Sequence, residues 1–189
     1  MDGRAVGSVR RLVCTETGMK RRTVLLALLA APLLASCKQN RNAAAAPPPR
    51  EISDASVAQF CGMSLSEHAG PKAQIFIRGL PDPYWFATVR DAFAFVMLPE
   101  MPKAIEAIYV NDMARVKNWE QPEPGMWVEA NKALFVIGSR RRSGMNTDEA
   151  IPFGAADAAR KFVEAEGGRI VGFEDMPRDY ILASNSGEQ

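Results

Sequence analysis

Three side chains able to ligate a soft metal fall within eight residues of this 189-residue chain: Cys61, Met63 and His68, in "CGMSLSEH". Thiolate and thioether are soft donors and imidazole is borderline, and thiolate with thioether selects Cu(I) over hard cations. Cys61 and Met63 are separated by one residue, so in an extended segment they point to the same side and grip one ion together. His68, the only histidine, lies five residues beyond Met63 and reaches back if "SLSEH" folds over. Structural zinc usually takes four Cys or His donors, and this segment offers two. The chain has no Cys-X-X-Cys pair. Cys61 and His68 are also the parts of a nucleophilic dyad, without an evident third group to orient the base or an oxyanion-hole motif. The plainer alternative is a buried thiol acting as a small hydrophobe.

The other two cysteines, Cys14 and Cys37, fall in a region that reads as a leader. Lys20, Arg21 and Arg22 precede Val24–Leu34, an apolar run of eleven residues, which suits a signal peptide. A bilayer span needs roughly 20 apolar residues. The run ends in Leu34-Ala35-Ser36-Cys37, which looks like a lipoprotein box whose cysteine is acylated and becomes the new N-terminus. The leader reads normally from Met19, so residues 1–18 are expected to be a non-native extension, 19–36 the lipoprotein signal and 37–57 a flexible tether rich in Ala and Pro. Residues 58–182 are expected to form the folded domain and 183–189 a disordered tail. Lys38 stands where an aspartate commonly retains a lipoprotein in the inner membrane. That favours the outer membrane, with the domain on its periplasmic face. Cys61 then has no partner within the mature chain. Outside the cytoplasm an odd cysteine points to a ligating or reactive thiol, or to an intermolecular bond.

Formal charge is +1, which gives no electrostatic reason to expect nucleic acid. The densest basic run, Arg140-Arg141-Arg142, reads as a solvated loop. Trp119, Met126 and Trp127 cluster between the two halves, with Met126 a weak ligand candidate. "AQIFIRG" (73–79) alternates apolar and polar residues as a half-buried strand does. "YWFATVRDAFAFVMLP" reads as a helix, with Phe86, Val89, Phe93 and Val96 on one face, and "AIEAIYVND" as the next strand. The order then repeats: strand "ALFVIGS", loop "RRRSGMNTDEA", helix "IPFGAADAARKFVEAEGG" ending at Gly167-Gly168, and strand "RIVGFED". Phe86/Phe153, Ala92/Ala159, Phe95/Phe162 and Val96/Val163 superimpose when the two helices are aligned. The expected fold is therefore α+β: two duplicated strand–helix–strand units packed as one compact domain, a sheet on two helices.

"CGMSLSEHAGPKAQIFIRG", the glycine-flanked Met145 in the loop after the second-half strand, and "IPFGAADAARKFVEAEGGRIVGFEDM" together resemble the NosL family over about residues 58–176. These are lipoprotein copper chaperones for maturation of nitrous oxide reductase. The resemblance implies a periplasmic, lipid-anchored Cu(I) carrier without catalytic turnover, whose partner is nitrous oxide reductase or another copper-centre assembly factor. It also implies a fold similar to that of organomercurial lyase. Cys61 and Met63 match the family's Cys-X-Met pair, Met145 its loop methionine and His68 a histidine of the same segment, with Cys37 as the lipidated residue. That methionine is commonly followed by glycine; here Asn146 follows. Two other classes remain: an assembly lipoprotein whose Cys61 is merely buried, and a thiol-dependent enzyme. A lyase-like enzyme would need a second thiolate, which the mature chain lacks.

Overall fold

Alternation and turn chemistry divide the chain into two halves of the same design. A computed structural model describes residues 46–183. The leader, Cys37 and the tail beyond 183 lie outside them. In the first half β1 (Ala73–Ile77), β2 (Tyr84–Phe86), β3 (Ile105–Asn111) and β4 (Trp127–Glu129) form an antiparallel sheet ordered β2-β1-β3-β4. In the second half β5 (Leu134–Ile137), β6 (Ile151–Phe153) and β7 (Arg169–Val171) form another, ordered β6-β5-β7. Helix α1 (Val89–Met97) joins β2 to β3, and α2 (Ala156–Glu166) joins β6 to β7. A short α3 (Arg178–Leu182) closes the described chain.

Each half thus runs strand, strand, helix, strand, with its first strand inside the sheet, and the first half adds β4. The expected α+β class of two repeated units holds; each unit gains an edge strand before its helix, and the halves have separate sheets instead of one. The residues read as the starts of the two helices are edge strands. Tyr84-Trp85-Phe86 is an aromatic run that suits a pleated surface. Thr88 then stops the strand and caps α1, its Oγ1 accepting from Asp91 N at 3.0 Å, which satisfies one of the helix's orphan donors. In the second half Pro152 sits within β6, which its position at the sheet edge permits. Phe86 and Phe153 are equivalent, each paired with the first residue of its central strand, Ala73 and Leu134. Ala92/Ala159, Phe95/Phe162 and Val96/Val163 occupy the helices. Gly167, at φ 75°, ends α2 as expected.

The halves share one core. Ala73, Ile75 and Ile77 of β1, Val89, Phe93 and Phe95 of α1, and Phe135 and Ile137 of β5 are all buried in it. Phe93 meets Phe135 edge to face with ring centroids 4.9 Å apart. Val136 points the other way and packs with Ile151, Phe153 and Ala159 beneath α2. Two polar clasps reinforce the junction. Glu149, just before β6, accepts from Arg90 N at the start of α1 at 3.0 Å. Asp112, just after β3, accepts from Gly154 N at 2.7 Å.

The strand β1 is buried along its whole length, although its alternation suggests a half-buried strand. The reason is the segment before it. Arg50 N donates to Gln74 Oε1 and Gln74 Nε2 donates back to Arg50 O, both at 2.9 Å. Tyr109, whose ring meets Phe76 edge to face, donates its hydroxyl to Pro47 O. Glu51 accepts from Gly125 N and Trp127 Nε1. The tether expected over 37–57 therefore gives way, from Pro47 onward, to chain fastened on the sheet. Among the described residues no helix is long and apolar enough to cross a membrane.

Candidate metal centre

The free thiol sits on a loop that closes the open edge of β2. Ala58 bridges Trp85 in parallel, and Gln59 N donates to Trp85 O at 2.8 Å. The loop closes on itself through Gly62 N to Ala58 O and Ala58 N to Met63 O, each 2.9 Å. Gly62 lies at φ 70°, a conformation that glycine adopts freely. Cys61 and Met63 therefore flank a reversal, and the extended segment that would hold them side by side does not form. Cys61 is half-buried, packed against Ala58, Leu65 and Ala87 in a small satellite core. Met63 is 40% exposed and Phe60 44%.

After Met63 the chain folds back, as "SLSEH" suggested. A single 3-10 turn, Leu65–Glu67, carries it round, and His68 Nε2 comes within 3.9 Å of Cys61 Sγ. His68 is buried at 8% exposure. It also lines a cavity of about 170 Å³ together with Leu65, Lys72, Asn111, Glu123 and Trp127.

Met145 arrives from the second half on a loop gathered around one hydroxyl. Ser143 Oγ accepts from Met145 N and Thr147 N, each at 3.2 Å, and lies 2.8 Å from Thr147 Oγ1. Asn146 takes the left-handed conformation, φ 57°, which asparagine tolerates better than most residues. It thereby does what a glycine would do there. Met145 stands at the tip, 37% exposed. The loop meets the histidine segment at Gly144: a Cβ built there would lie 2.5 Å from Ala69 O and overlap Ala69 N. Met145 and His68 are each one residue from this contact, a Cα step of about 3.8 Å.

So Cys61, His68 and the Met145 loop converge, with Met63 exposed on the same loop as the thiol. Met126 leads into β4, its carbonyl accepting from Asp112 N. The three arginines are each engaged on the domain: Arg140 with Glu166, Arg141 over the Trp119 ring at 4.2 Å, and Arg142 with Asp148. Among the described residues no three His, Cys, Asp or Glu side chains are grouped to hold a metal.

Beneath this surface lie ionisable groups that the sequence did not single out. Lys72 is buried, and desolvation lowers its pKa to about 8, against the opposing pull of Glu149 and Glu120. Its ammonium donates to Gly70 O at 2.6 Å. Burial raises Glu149 to about 8; Oε1 accepts from Arg90 N and Ala150 N, while Oε2 has no partner. Burial also raises Asp91, opposed by the Thr88 hydroxyl and by the charges of Arg90 and His68. A lysine before a strand and a glutamate after an acidic loop ordinarily read as solvent-facing, so no local signal marked them.

The architecture defines a duplicated mixed helix-and-sheet domain with two small sheets. A model of the NosL family matches residues 49–181, and the chain belongs to that family. It is 42% identical over 163 residues to a copper-binding lipoprotein NosL from Achromobacter cycloclastes, covering 86% of this chain and 83% of that one. A copper-binding lipoprotein NosL from Stutzerimonas stutzeri is 28% identical with the same coverage. The crystal structure of the copper chaperone NosL from Shewanella denitrificans superimposes with a TM-score of 0.65 and 28% identity, over 70% of this chain and 98% of that one.

Proposed function

We propose that this chain is a lipid-anchored carrier of Cu(I), holding the ion on Cys61 thiolate with Met63 and Met145. His68 serves as a further donor or as a partner of the thiolate. The approach of Cys61 Sγ to His68 Nε2 at 3.9 Å, on a segment that the Met145 loop touches, carries this reading. Relatives named for copper binding support it.

The chemistry needs no turnover. Copper arrives as substrate, the thiol loses its proton, and His68 Nε2 is the neighbouring base. Two thioethers on exposed loops complete a low-coordinate sulfur site. Thioethers are neutral, weakly held donors, so an acceptor's ligands displace them one at a time and the thiolate releases last. The acceptor is nitrous oxide reductase or another copper-centre assembly factor, as the family resemblance implies. Acylation of Cys37 holds the domain at the periplasmic face of the membrane, with the outer membrane favoured.

The test is an anaerobic Cu(I) titration of the purified protein in detergent against a competing chromophoric chelator. One tightly held Cu(I) per chain is expected, and its loss in Cys61→Ser. Equal binding by the two proteins, or none by either, would reject the carrier.

A further inference from the structure

Glycine at position 144 is not explained by the turn it occupies. Gly144 lies outside the left-handed region that Gly62, Gly138 and five other glycines of the domain adopt, so its backbone conformation is open to alanine. Its lack of a side chain matters instead for a close approach: a Cβ would lie 2.5 Å from Ala69 O and 3.1 Å from Ala69 Cα. Those obstructing atoms are backbone, which cannot swing aside as the end of a long side chain would. Ala69 follows His68, and Met145 follows Gly144. The contact therefore lies between the residue after His68, whose ring nears the thiol, and the residue before a methionine of the other half of the fold.

We propose that Gly144 is a positioning residue: by letting the 143–147 loop seat on the Ala69 backbone, it holds the Met145 thioether within reach of a metal on Cys61. This rests on the copper reading above. The loop is ordered internally by Ser143 Oγ, so seating it at one point places the whole loop. Alanine at 144 leaves those internal bonds intact and lifts the loop away from His68. The thiol and Met63 stay where they are, because their loop is fastened to the edge of β2 through Ala58 and Gln59. The site then falls to the donors of the first half alone.

The experiment compares Cu(I) affinity, by chelator competition on the protein in detergent, for wild type, Met145→Ala, Gly144→Ala and the double variant, with Cys61→Ser as control. Gly144→Ala is expected to weaken binding about 10- to 100-fold, the range for residues that orient a ligand, and by about as much as Met145→Ala. The double variant should bind no more weakly than either single one, and X-ray absorption should show one sulfur fewer around copper in all three. Full additivity, or unchanged affinity in Gly144→Ala, overturns the proposal; a merely structural lesion would be additive with Met145→Ala. Should Met145→Ala bind like wild type while Cys61→Ser does not, this proposal fails and the carrier reading stands. No binding by wild type removes both. If Gly144→Ala does not fold, NMR of the wild-type protein decides: a nuclear Overhauser contact between the Gly144 α-protons and the Ala69 amide is expected before and after copper loading. Its loss on loading overturns the proposal.

Discussion

At the scale of single residues, the sequence marked out candidate donors but conveyed only part of their geometry. Cys61, Met63 and His68 stand out because the chain has three cysteines, nine methionines and one histidine, and here one of each falls within eight residues. The fold-back that brings His68 to the thiol was readable from the short polar link between them. The relation of Cys61 to Met63 was not, because alternation assumes an extended backbone and Gly62, at φ 70°, reverses it. Met63 is consequently an exposed side chain, and under the proposed carrier reading it is one of the copper donors. Met63→Ala should weaken Cu(I) affinity about tenfold, the equivalent of about 1.4 kcal/mol, while leaving the thermal midpoint within a degree or two of wild type. A large fall in the midpoint would instead make Met63 a packing residue.

At the scale of elements, the duplication was visible but the first unit was read two strands short, β2 and β4, and the second one short, β6. Helical periodicity in "YWFATVRDAFAFV" runs on through residues that Thr88 and the pairing of Phe86 with Ala73 assign to β2. The same error recurs at Phe153, which is itself a sign that the halves share one plan. The junction of α2 and β7 also depends on glycine in a way that the helix-end signal only half conveys. Gly167 closes the helix, whereas Gly168, at φ 90°, passes so close to β5 that a Cβ would lie 2.6 Å from Ile137 O. Gly79 shares the left-handed conformation, φ 84°, but faces open space. Both alanine variants incur the conformational cost of roughly 1–2 kcal/mol. Gly168→Ala should lose at least about 1 kcal/mol more in urea denaturation, because overpacking against a fixed neighbour typically costs 1–3 kcal/mol. Equal losses would mean that β5 and β7 yield to the added methyl.

At the scale of the molecule, the two halves are joined by a shared core and by buried polar groups that no local pattern announced. Glu149 has a pKa raised from 4.5 to about 8 by burial. Between those values the folded protein keeps a proton that the unfolded chain has lost, so stability falls as pH rises through that window. Asp91, raised from 3.8, acts in the same direction. Lys72, lowered from 10.5 to about 8, acts oppositely above that pH, where the unfolded chain holds the extra proton. Glu149→Gln keeps an oxygen for the Arg90 and Ala150 amides and removes the titration. In urea denaturation from about pH 5 to 8, wild type should lose stability with a slope approaching that of one proton, about 1.4 kcal/mol per pH unit. The variant should be flatter. Parallel slopes would mean that Glu149 is ionised within the fold.

The loop that bears Cys61 is also what covers the outer margin of β2, through Ala58 and Gln59 against Trp85. An uncovered strand margin is a template for pairing with a second chain, and proteins ordinarily guard it. Here the guard is the loop that bears the proposed copper thiol. If that loop carries the ion, its freedom to open during handover is limited by solubility as well as by affinity: a detached loop would leave unpaired amides and carbonyls on Trp85 beside exposed Phe60. Lesions at residues 58 and 59 should therefore appear as self-association and loss of recoverable protein before they appear as loss of copper.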